Sequence, residues 1–133
     1  MEERRNRFRR LAVALTGLVL GGAAIGCELP PGVRVESERV ALSYWTVPAQ
    51  IAVGQPFMLE LAVCPKPDAA LSRRIKLDAH MPEHRHGMNY RIKVISLGEG
   101  RYRSEGWLFH MPGRWEFVFD LGAERLAHSV RIE

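Results

Sequence analysis

From Phe57 onward the apolar and polar positions of this chain alternate with a period of two. Phe57, Leu59, Leu61 and Val63 alternate with Met58, Glu60 and Ala62, and Ile75, Leu77, Ala79 and Met81 alternate with Arg74, Lys76, Asp78 and His80. Tyr90, Ile92 and Val94 alternate with Arg91 and Lys93, and Trp115, Phe117, Phe119 and Leu121 with Arg114, Glu116, Val118 and Asp120. Successive side chains of an extended chain point to opposite faces, so each stretch reads as a strand with one face buried. Further strands are predicted over 39–46, 101–111 and 124–132, with turns at Val53-Gly54-Gln55, Lys66-Pro67-Asp68, Gly98-Glu99-Gly100, Pro112-Gly113 and Gly122. No segment beyond residue 26 has a helical period. About seven short strands in about 100 residues predict an all-β fold, an immunoglobulin-like antiparallel β-sandwich.

The start of the chain has a different composition. Arg4, Arg5, Arg7, Arg9 and Arg10 precede an apolar run from Leu11 to Gly26, the layout of a secretory leader. Ala24-Ile25-Gly26-Cys27 resembles a bacterial lipobox, which predicts a signal peptide over 1–26 and lipidation of Cys27. A plain secretory signal and an uncleaved anchor are the other readings of the same run. Residues 27–38, with Pro30, Pro31 and Gly32 and no apolar period, read as a tether to the domain at 39–133. The chain has two cysteines. Lipid on Cys27 leaves Cys64 as a lone thiol; without it, a bridge between the two is the alternative.

Charge narrows the partners. Taking the leader's five arginines and two glutamates from the chain's 19 basic and 15 acidic residues leaves 14 against 13. The sequence pI near 9.5 therefore comes mainly from the leader, and no nucleic-acid partner is expected.

Four of five histidines and three of five methionines fall within Asp78 to Met88 and Phe109 to Trp115. If consecutive strands run up and down, the strands ending near Met81 and Met111 descend to the same pole, so two sequence-distant segments form one patch. Cys64 closes an ascending strand and belongs about 25 Å away. His84 and His86 form an H-x-H pair whose rings share a side if the segment stays extended. Gly87 permits a turn that brings Met88 back over them, and His110 and His80 are further donors. His84, His86, Met88, His110 and His80 are thus the candidate metal ligands. Thioether sulfur turns the choice toward copper(I), while imidazole alone suits zinc or copper(II) as well. Asp78 and Glu83 are candidates to orient an imidazole. Met81 and Met111, on the inward alternation, read as core filler, and His128 as a half-buried strand histidine. The plain alternative for the cluster is a polar turn with a buried methionine plug.

At Met81-Pro82, His86-Gly87-Met88, Gly100 with Tyr102, and Phe109, Met111, Gly113 and Trp115, the chain resembles the YtkA-like family, which overlaps the FixH-type domains. The resemblance covers roughly 40–132. It implies a small β-sandwich of the bacterial cell envelope, often carrying a lipoprotein or membrane anchor, in settings of copper handling and respiratory oxidase assembly.

Together these readings predict a protein on the periplasmic side of a membrane, held by a lipid anchor, that binds copper(I) and delivers it to another envelope protein. The competing expectation is a metal-free module that docks on a membrane complex. An enzyme is not expected: the chain has no G-x-S-x-G, no glycine-rich phosphate loop, and no histidine placed near Cys64.

Overall fold

The computed structural model describes residues 26–133 apart from Arg73 and Ala123, so the expected signal segment lies, except for Gly26, outside the described residues. Among the described residues nine strands follow in chain order: β1 (Val33–Glu36), β2 (Val40–Val47), β3 (Phe57–Pro65), β4 (Lys76–Met81), β5 (His86–Gly87), β6 (Lys93–Gly98), β7 (Arg101–Trp107), β8 (Gly113–Asp120) and β9 (Arg125–Ile132). One sheet has the order β1-β2-β3-β7-β6 and the other β5-β4-β8-β9, with every pair antiparallel. Setting aside the two short strands β1 and β5, the remaining seven lie first-second-fifth-fourth in one sheet and third-sixth-seventh in the other. That is the strand order of the immunoglobulin sandwich.

The inward sides of the alternating strands meet between the sheets. Leu42, Leu59, Leu61, Trp107, Trp115, Phe117 and Phe119 are all at most 1% exposed. Each such burial removes a large apolar side chain from water, worth about 1.5–3 kcal/mol. Phe109 stacks on Trp115 with ring centroids 4.3 Å apart, and Phe57 meets Phe109 edge-on at 5.2 Å. The buried indole of Trp107 donates to Ser104 Oγ, whose hydroxyl donates in turn to the Leu59 carbonyl, each over 2.8 Å. A polar chain thus satisfies the indole donor that Trp107 buries in this aromatic core.

The segment expected to be a tether is instead drawn onto the domain. Val33–Glu36 pairs with Ala41 to Tyr44, Ser43 Oγ donates to the Pro30 carbonyl at 2.7 Å, and Cys27 is disulfide-bonded to Cys64. Ala41, Ser43, Ala62 and Cys64 are the outward residues of two adjacent strands, and all are small and buried. Their size leaves room for residues 27–32 to lie on this face, which is why alternation of burial lapses there. A Cβ on Gly32 would come within 2.6 Å of the Tyr44 carbonyl oxygen, so the close approach needs glycine.

Candidate metal centre

β4 and β7 run toward the same pole, as strand order predicts, and β3 starts there, with Phe57 paired to Trp107. Cys64 lies at the far end of β3, beside the start of β2, where Ala41 is its register partner. The pole carries the turn 82–85 between β4 and β5 and the irregular segment 108–112 between β7 and β8.

The Met81↔His86 pair closes the β4–β5 hairpin, and the amide of His84 donates to the Met81 carbonyl at 3.2 Å. Residues directly opposite in an antiparallel pair share a face. Met81 is 1% exposed on the inner face, so His86 is carried to the inner side of the sheet's rim. There it meets His110 from the other segment: the imidazole centroids are 5.8 Å apart, nearly perpendicular. The His110 ring also stands edge-on to Trp115 at 5.6 Å. Trp115 is fixed by its stack on Phe109 and by donation of its indole N–H to the Met111 carbonyl at 3.0 Å. The Nδ1 of His110 is buried and has no hydrogen-bond partner. Gly113, at φ 130, lies so close to Met81 that a Cβ would come within 2.6 Å of its methyl carbon.

The rest of the expected ligand set is dispersed. Arg85 has φ 50 and the chain turns at 82–85 instead of staying extended, so the condition under which His84 and His86 share a side is not met. Among the described residues no three His, Cys, Asp or Glu side chains gather as a metal site, which leaves His84 outside the pair. His80 faces outward and its Nε2 lies 3.5 Å from the Glu116 carboxylate, its cross-strand neighbour. Met88, expected to turn back over the histidines, is half-buried against the core and lines a groove with Ile92 and Val94. Gly87 supplies no left-handed turn, because it is part of β5. Asp78 accepts the Ala79 amide at 2.8 Å and Glu83 pairs with Arg114 at 3.2 Å, so neither orients an imidazole.

Cys27 also departs from expectation. Its sulfur is bonded to Cys64, with Cα atoms 5.6 Å apart, and a sulfur in a disulfide cannot form the thioether of a lipid anchor. The structure has the bridged alternative. His128, expected to be a half-buried strand histidine, is that: its Nδ1 lies 2.7 Å from the Tyr44 hydroxyl, which burial makes harder to ionise.

Comparison of the chain with known protein families, with characterised proteins and with solved structures finds no match.

Proposed function

We propose that this domain binds copper(I) at the rim of the sandwich through His86 and His110 and passes it to another exported protein. The observation that carries this reading is the meeting of two imidazoles from remote segments, one of them with a buried nitrogen that nothing in the protein satisfies. An unpartnered buried polar atom costs about 1–3 kcal/mol, and a metal ion that accepts its lone pair removes that cost. Met81 lies directly across from His86 in register, and its thioether is the sulfur this reading assigns to the site. Zinc sites use three or four protein ligands of the histidine, cysteine and carboxylate type, and no such group gathers among the described residues. Two imidazoles with a thioether suit copper(I) better. A position at the rim leaves the ion reachable by an incoming ligand. The Cys27–Cys64 bridge supports an oxidising compartment, in keeping with the envelope setting that the YtkA-like resemblance implies.

A second reading, a metal-free module that docks on a membrane complex, is favoured by one fact: only two imidazoles meet. Anaerobic competition for copper(I) against a chromophoric chelator separates the two. The metal-binding reading expects one equivalent per chain, affinity lowered about tenfold or more in His86→Ala and in His110→Ala, and little change in His84→Ala. Unchanged affinity in the His86→Ala, His110→Ala double variant would leave the docking module.

A further inference from the structure

A second site lies along the open flank of the sandwich and does not depend on the metal reading. β4 pairs with β8 from Lys76 to His80, but on its other side it meets β5 only at His80 and Met81. Among the described residues no strand lies beside Leu77 to Ala79 on that side. The Ala79 amide donates to its neighbour Asp78 Oδ1 at 2.8 Å instead of to β8. Main-chain groups in an antiparallel ladder alternate in direction, so the amide and carbonyl of Leu77, two residues earlier, point to the open side too. In the opposing sheet the outermost strand is β6, which pairs only with β7. Between these two edges runs a groove of about 720 Å³.

The chemistry of the groove is one-sided. Leu77, Ile92, Val94 and Met88 give it apolar walls, and Arg74, Lys76 and Arg91 line it with positive charge. All three cations are exposed, and none makes an ion pair with a described residue. Asp78 is the one acid in the lining, and its carboxylate is engaged by the Ala79 amide.

We propose that this groove takes an extended acidic segment of a partner protein, added as a strand to the free edge of β4. Main-chain bonds to an exposed edge supply affinity in such complexes, and alternate side chains supply specificity. Here every second side chain of the incoming strand faces the apolar walls, while acidic side chains between them meet Arg74, Lys76 and Arg91. Asp78 caps the edge until the strand arrives, so the exchange trades one local bond for ladder bonds.

The test uses a fluorescein-labelled peptide of alternating valine and glutamate, with alternating valine and lysine as the control and phosphatidylglycerol vesicles as a parallel arm. The expected result is saturable anisotropy with the glutamate peptide alone, weakened about tenfold or more by Lys76→Glu with Arg91→Glu. Both residues are exposed, and a thermal melt checks that the variant stays folded. On binding, the Leu77 amide should exchange more slowly with solvent by NMR. Equal binding of the lysine peptide, or a Leu77 amide whose exchange does not change, overturns strand addition. Binding to vesicles without binding to the peptide assigns the cations to a membrane surface and overturns it as well, as does self-association lost in the same variant.

Discussion

Replacing Cys27 with serine removes the only covalent tie between the N-terminal segment and β3 among the described residues, and it does so at an exposed position, without opening a hole in the core. The bridge spans 37 positions of sequence. Closing a loop of that length restricts the unfolded chain by an entropy worth about 4 kcal/mol at 25 °C in the chain-entropy treatment. For a domain of this size that corresponds to about 15 °C in melting temperature. Trp107 and Trp115 are at most 1% exposed, so tryptophan fluorescence during urea unfolding reports the collapse of the core directly. Cys27→Ser and the reduced wild-type protein should shift the midpoint by the same amount, and alkylation of the unfolded wild type without reductant should label no cysteine. A shift equivalent to less than about 1 kcal/mol, or a freely alkylated Cys64, would mean that the bridge does not hold the N-terminal segment to β3.

Ser104→Ala leaves the buried Trp107 indole N–H without an acceptor and should cost about 1–3 kcal/mol in urea unfolding; a cost near zero would mean that the Ser104 bridge to Leu59 does not matter. The Lys66 ammonium, hydrogen-bonded to Glu36, holds that carboxyl below the usual carboxylate range, with Arg34 adding to the effect. A depressed folded value means that the contribution is present above the ordinary carboxylate pKa and is lost as pH falls through the folded one. Carboxyl NMR titration should therefore show the Glu36 midpoint rising in Lys66→Met; an unmoved midpoint contradicts the assignment.

Strands such as β3 and β8 are legible because one apolar face and one polar face is a period-two signal, which Phe57–Val63 and Trp115–Leu121 carry cleanly; β6 instead starts at Lys93, past Tyr90 and Ile92, and its largely exposed residues give no such signal. β1 was not legible, since Pro30, Pro31 and Gly32 give the composition of a linker and only Val33 and Val35 are apolar. The overlooked signal was the run of small outward residues at Ala41, Ser43, Ala62 and Cys64, a face that something has to cover. Strand direction alone predicted that the histidines of two segments meet at one pole, and His86 and His110 do. It did not predict which ones, because a four-residue turn rotates side chains in ways spacing cannot show: His84 leaves the group while His86, fixed opposite Met81, keeps its place. The other residues of the resemblance have structural duties of their own. Gly100 lies where a Cβ would meet the Val63 carbonyl at 2.5 Å, and Gly113 makes room for the Met81 methyl.

X-ray absorption of the protein loaded with one equivalent of copper(I) reads out whether His86 and His110 hold the ion. The spectrum should show a first shell with two imidazoles, seen through their outer-ring scattering, together with one sulfur, and the loss of one imidazole in His86→Ala or in His110→Ala. A shell without imidazole scattering, or one that neither substitution alters, would contradict this placement of the ion.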